Sequence, residues 1–241
     1  MDEYNRRHFI RTSLPGFLGL GLALPGITAL ATRANACYGR VPENGAINWD
    51  AFLSAVEQEA SKQHLDNWNQ VDYVKKAAAL ALRLNLKDPA LAEAFAKTKN
   101  GLGNQRIDFY KLEKQRNFEV SLVQFEKEER IAHHDHPGMT GVLLCATGKV
   151  DVWNYDLLEK QKESDPLLLQ ETARNTLQKG MVSTLTSKQR NIHKLKAQSL
   201  TQLVDIFAPP YNKVRSRNSS WFRVDTEPYQ GKEKIYEATK R

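Results

Sequence analysis

Residues 118–153 constrain the fold more than any other part of the chain. The run Phe118-Glu119-Val120-Ser121-Leu122-Val123-Gln124-Phe125 is rich in β-forming residues. Residues 141–153 read as strand, turn at Thr147-Gly148-Lys149, strand. Between them lies His133-His134-Asp135-His136-Pro137-Gly138-Met139, which holds three of the six histidines. Strand side chains alternate between faces, so His134 and His136 share one side while His133 and Asp135 take the other. Two imidazoles on one face can reach one metal ion. From Phe109 onward, short apolar runs alternate with turn signals, an all-β pattern. The polar stretch 158–175, which includes Lys160-Gln161-Lys162-Glu163, reads as a solvated loop between strands.

Upstream the apolar spacing is helical. Asn48 can cap a helix whose apolar positions are Trp49, Phe52, Leu53 and Val56. A second helix is predicted over 71–86, with alanines that permit close packing. A third starts at Asp88-Pro89 and stops near Asn100-Gly101. These helices are expected to pack on the outside of a sheet.

The first 36 residues have another character. Asn5-Arg6-Arg7-His8-Phe9-Ile10 precedes a weakly hydrophobic, Gly-rich segment, 14–30, and then Ala34-Asn35-Ala36. A charged start, an apolar middle and a small-x-small end make an export signal. The arginine pair resembles a twin-arginine signal, which implies a periplasmic protein. Prolines and glycines interrupt the apolar run, so it makes a poor spanning helix, which needs about 20 continuous apolar residues. Cleavage after Ala36 would leave Cys37 first, and retention of the signal stays open. The expected organisation is an export signal over 1–36, a helical region over 37–108 packed on a barrel, and a barrel with a metal site over 109–241.

Composition narrows the classes. A chain of 241 residues, 41% hydrophobic, supports one core plus an accessory element. The net charge of +7 is spread along the chain, with no basic block interleaved with aromatics, so no nucleic-acid partner is expected. Two cysteines, Cys37 and Cys145, imply no disulfide framework. Cys145 lies in an apolar run and reads as a buried small hydrophobe. A monomer is expected.

A third ligand is sought among the other histidines. His8 is in the export signal and His64 ends a polar helix. His193 belongs to Asn191-Ile192-His193-Lys194-Leu195-Lys196-Ala197, an alternation that puts His193, Leu195 and Ala197 on one face. His134, His136 and His193 then offer three neutral nitrogens to one metal.

The His-x-His strand and Gly148 resemble the cupin family, which implies a mainly β fold, a double-stranded β-helix (jelly-roll) barrel. Cupins usually place a glutamate ligand where this chain has Gly141. A three-histidine set without a carboxylate resembles the thiol dioxygenases. His134-Asp135-His136-Pro137-Gly138-Met139, Asn191-Ile192-His193 and Asp205-Ile206-Phe207-Ala208-Pro209-Pro210-Tyr211 resemble one branch, the plant cysteine oxidase and cysteamine (2-aminoethanethiol) dioxygenase family. The resemblance spans residues 50–230. It implies one mononuclear Fe(II) on His134, His136 and His193. It also implies oxidation of a small aminothiol or an N-terminal cysteine thiol to the sulfinate with O2. Asp205, on the strand face of Leu203 and Phe207, points inward, to attract a substrate amine or orient a ligand histidine. Tyr211 follows two prolines, and its hydroxyl is expected on substrate or oxygen. Ser219 and Trp221 stand where animal members carry a crosslinkable Cys and Tyr, so that crosslink cannot form. Two other readings fit the same barrel: a cupin enzyme acting on a non-thiol substrate, and a non-catalytic exported cupin that binds metal or ligand.

Overall fold

The computed structural model describes residues 45–99, 107–160 and 162–241. The expected export signal, with its arginine pair and Ala34-Asn35-Ala36, lies outside the described residues. Three helices come first: α1 (Trp49–Ala60), α2 (Gln70–Arg83) and α3 (Pro89–Lys99). Asn48 caps α1 by accepting from Ala51 N at 2.9 Å, and Asn69 caps α2 through the amides of Val71 and Asp72. Asp88, just before α3, accepts from Trp49 N at 2.9 Å and so ties the starts of α1 and α3 together. Helix α2 stops before residue 86 because Leu84 turns extended and bridges to Ile47. Among the described residues no helix is long and apolar enough to cross a membrane.

The strands are β1 (Ile107–Lys114), β2 (Glu119–Phe125), β3 (Arg130–His134), β4 (Thr140–Thr147), β5 (Lys149–Leu157), β6 (Leu167–Gln178), β7 (Val182–Leu185), β8 (Ile192–Ala197) and β9 (Thr201–Ala208). A short helix α4 (Lys213–Asn218) precedes β10 (Phe222–Val224) and β11 (Ile235–Lys240). They form two antiparallel sheets, ordered β1-β2-β9-β4-β7 and β10-β11-β6-β5-β8-β3. The fold is mainly β, a near-closed barrel with the helices outside it.

The two sheets are covered differently, and the sequence records it. In the five-stranded sheet, Val120, Val142, Leu144, Val204 and Ile206 pack against Phe52, Val56, Ala77 and Ala81 of the helices. The alternate residues Val123, Leu143, Cys145 and Leu203 pack against Val150, Val152 and Leu195 of the opposite sheet. A sheet covered on both faces carries apolar residues at successive positions, as Val142 to Ala146 of β4 do. The six-stranded sheet keeps a wet outer face. Strand β8 alternates buried His193, Leu195 and Ala197 with half-buried Lys194 and Lys196. On that face Arg174 and Lys194 flank the Trp153 ring at 5.2 and 4.8 Å.

One expectation is corrected. Residues 158–175 are not all loop, because β6 begins at Leu167 and pairs with β5 and β11. Its middle, Gln170-Glu171-Thr172-Ala173-Arg174-Asn175, is polar because much of the strand stays half-exposed. Its order comes from ladders to β5 and β11, which no local pattern announces.

The turn between β4 and β5 depends on a glycine. Gly148 has φ +78°, and a Cβ there would lie 2.3 Å from Leu200 O and 2.7 Å from Thr201 Cα. Gly148→Ala is expected to destabilise the fold by about 1–3 kcal/mol from backbone conformation alone, with the clash in addition. Urea denaturation at neutral pH measures it.

Candidate metal centre

Strands β3 and β8 are antiparallel, and their register sets His134 directly opposite His193. Strand β3 ends at His134, so His136 lies in the following loop rather than on the strand as expected. A tight turn returns it to the same side: Met139 N donates to His136 O at 3.0 Å, and Gly138 takes φ +68°. Asn191 clamps this turn. Its Oδ1 accepts from His136 N at 2.8 Å, and its Nδ2 donates to Thr186 O at 2.8 Å and His136 O at 3.1 Å. One carboxamide, two residues before His193, thus fixes His136 relative to the strand that carries His193.

The three rings converge through Nε2. His136 and His193 are 3.0 Å apart at these atoms, and His193 and His134 are 3.1 Å apart. Two nitrogens bonded at about 2.1 Å to one ion, at right angles, stand about 3.0 Å apart, so the spacing suits a shared metal. The tautomers suit it as well. His134 Nδ1–H donates to Ala132 O at 2.8 Å, which leaves its Nε2 lone pair bare. His136 Nδ1 meets the Tyr211 hydroxyl. Burial lowers the pKa of all three, and for His136 and His193 neighbouring histidine charge lowers it further, so the rings are held neutral. Bare lone pairs this close repel one another unless a cation lies among them. His134, His136 and His193 could therefore hold a metal ion. His133 is turned away, edge-on to Tyr155 at 5.1 Å, and burial pushes its pKa down to about 4.

Among the described residues no carboxylate joins the three nitrogens, and packing leaves no room for a side chain at Gly141. A Cβ on Gly141 would lie 2.5 Å from the Phe207 ring. That ring stacks on His136 at 4.5 Å between centroids. Met139, fully buried, packs beside Leu185 and Phe207.

The histidines line a cavity of about 360 Å³ between the two sheets. Glu119, Ser121, Val123 and Phe125 project into it from alternate positions of β2. Leu203 and Asp205 do so from β9, and Phe109, Lys111 and Trp221 stand toward its mouth. Trp221 stacks on His134 at 4.9 Å. Asp135 pins that neighbourhood, its carboxylate accepting from Ser220 N at 2.6 Å. Asp205 lies opposite Ser121 and Leu143 in its ladders. Burial, helped by the charge of Glu119, pushes its carboxyl up to about 8. Tyr211 also lines this cavity, and its hydroxyl meets Nδ1 of His136. Sequence reasoning passed over Glu119, Phe207, Asn191 and the stack of Trp221 on His134. Glu119 was discoverable, because it continues the inward row of Ser121, Val123 and Phe125.

The PCO_ADO family model matches residues 70–241. The chain belongs to the PCO_ADO family of cysteine/cysteamine dioxygenases. The family carries thiol dioxygenase activity and is known for iron. Solved structures similar to this PCO_ADO member include KdgF from Halomonas sp., at 15% identity and TM-score 0.35, covering 45% of this chain and 84% of that one. Another is an RmlC-like cupin protein from Desulfovibrio desulfuricans, at 15% identity and TM-score 0.35, covering 46% and 90%. A third is TT1209 from Thermus thermophilus, at 15% identity and TM-score 0.36, covering 48% and 95%.

Two outcomes follow from the geometry. Asn191→Ala is expected to weaken metal binding about 10–100-fold, as loss of an orienting partner does, and competition with a chelator measures it. Asp205 holds its proton to about pH 8 when folded but loses it near pH 3.8 when unfolded. The unfolded state then binds fewer protons, so this group's contribution to stability falls as pH rises from about 4 to about 8. Urea denaturation of the metal-free protein at pH 5, 7 and 9 is expected to show Asp205→Asn gaining on wild type across that window.

Proposed function

We propose that the protein is an Fe(II)-dependent thiol dioxygenase that oxidises a small aminothiol, or the thiol of an N-terminal cysteine, to the sulfinate. The balance is R–S⁻ + O2 → R–SO2⁻, with both oxygen atoms on sulfur and two new S–O bonds. The observation that carries this reading is three neutral imidazoles converging without a carboxylate, in a chain of the PCO_ADO family. Iron held by His134, His136 and His193 would supply the redox chemistry between thiolate and oxygen, and its positive charge would favour the thiolate over the thiol.

The remaining work falls to the chain's own residues. Asn191 fixes where His136 sits, and Tyr211 holds the far nitrogen of that ring. The wall formed by β2 and β9 carries Glu119 and Asp205 across from the histidines of the other sheet. A carboxylate wall suits a substrate with an ammonium group. Among the described residues that line the cavity there is no arginine to clamp a carboxylate beside the thiol. This favours cysteamine-like substrates or an N-terminal cysteine over free cysteine. Val123, Leu143 and Leu203 make the inner end apolar, which keeps bulk water away from the reacting sulfur. On this reading the protein is a monomer, exported to the periplasm by the signal read over residues 1–36.

Incubating iron-loaded protein with cysteamine, an N-terminal-cysteine peptide, free cysteine and 3-mercaptopropionate tests the proposal. Mass spectrometry is expected to find a gain of two oxygen atoms on the first two and at least about tenfold less on the last, which has no amine to meet the carboxylate wall. His193→Ala is expected to lose both iron and product, and His133→Ala to keep both. Iron bound with no thiol oxidised would return the protein to the non-catalytic metal-binding class.

A further inference from the structure

A second cleft lies behind Tyr211, and none of the three converging histidines lines it. Its wall carries four basic side chains, His64, Lys114, Arg116 and Arg215, and no carboxylate. These residues come from three parts of the chain: the end of the first helical segment, the β1–β2 turn, and α4. Two of them already bond backbone oxygens of the segment before α4. Lys114 Nζ donates to Tyr211 O at 2.6 Å, and Arg215 Nη1 donates to Pro210 O at 3.1 Å. His64 is occupied by Asn117 Oδ1 at 2.8 Å.

Nearby negative charge balances only Lys114, and that in part. Glu119 is 3.3 Å from Lys114 but is shared with Lys111 at 3.6 Å and faces the other cavity. Glu57 lies behind Asn117, which donates to it. Arg116 is exposed and has no ion-pair or hydrogen-bond partner among the described residues. Like charges gathered on one wall repel, and a multivalent oxyanion relieves the repulsion. A guanidinium fork matches the oxygen spacing of phosphate, and a lysine adds a point charge.

We propose that this cleft is a phosphate-binding site, formed by Arg116, Arg215 and Lys114. Phosphate binding there does not require the oxidation reaction, although Tyr211 lines both clefts and Lys114 pairs with Glu119 of the first. It requires only that the three cations stay where the fold puts them. The phosphate is either free or carried on a small ester.

The test is calorimetric titration of the full-length protein, at low ionic strength, with inorganic phosphate and in parallel with phenyl phosphate. One saturable site is expected, with a sub-millimolar Kd for at least one of the two probes. Tighter binding of phosphate identifies the free ion, and tighter binding of the ester identifies a carried group. Arg116→Gln and Arg215→Gln are each expected to weaken binding about fivefold or more, with thermal unfolding unchanged in Arg116→Gln. Lys179→Gln, at an exposed lysine in the turn after β6, is expected to change nothing. The proposal is overturned by non-saturable heats with both probes, by equal weakening in Lys179→Gln, or by full competition from chloride at matched ionic strength, the signature of an adventitious ion only.

Discussion

The metal centre depends on the register of one antiparallel pair, β3 against β8. His134 stands opposite His193 only because Ile131 stands opposite Leu195 and Arg130 opposite Lys196, with a bulge taking up the difference. A slip of one residue would turn His193 out to solvent and carry Lys194 and Lys196 into the core. Burying two lysine ammonium groups without partners costs far more than any local gain in pairing. The alternation of β8, apolar or histidine inward and lysine outward, therefore fixes the metal site as a by-product of fixing the sheet.

The ligand set follows from a second steric constraint. Gly141, Phe207 and His136 form a stack in which the absence of a side chain at the first position makes room for the ring at the second. Phe207 occupies the space that a side chain at Gly141 would need, and its ring covers one face of a metal-facing imidazole. The missing carboxylate is thus filled by packing rather than left as a gap. Tyr211 extends the same cluster, edge-on to Phe207 at 5.2 Å with its hydroxyl on His136. The Asp205–Tyr211 segment supports the centre through a ring contact and a hydrogen bond, and contributes no ligand.

Much of this was legible in the residues alone, because the informative patterns are local. The period-two alternation in β8, the caps at Asn48 and Asp88, and the close His134-x-His136 spacing each depend on a few neighbouring residues. What stayed hidden depends on partners far along the chain. Strand β6 reads as loop because its polar middle is ordered by β5 and its start by β11, the second more than 50 residues away. Asn191 looks like an ordinary polar residue until His136 and Thr186 are placed around it. The contact of Tyr211 with His136 was hidden for the same reason, since it depends on a ring 75 residues away.

Charge balance in the cavity bears on the substrate. On the proposed reading, a divalent ion held by three neutral imidazoles brings two positive charges into a slot whose inner end is apolar, and among the described residues that line it the acidic ones are Asp205 and Glu119. Glu119 is already engaged by Lys111 and Lys114. Asp205 is buried beside that carboxylate, and it keeps its proton to about pH 8. On the proposed reading, a substrate thiolate offsets one charge of the ion and a substrate ammonium meets Asp205, which then ionises. An aminothiol bound as thiolate and ammonium adds no net charge while satisfying both walls. A mercapto acid bound as thiolate would instead bring a second negative charge toward Asp205 and Glu119. On that reading, the arrangement that keeps carboxylates away from the three imidazoles also places them where they would discriminate among thiols.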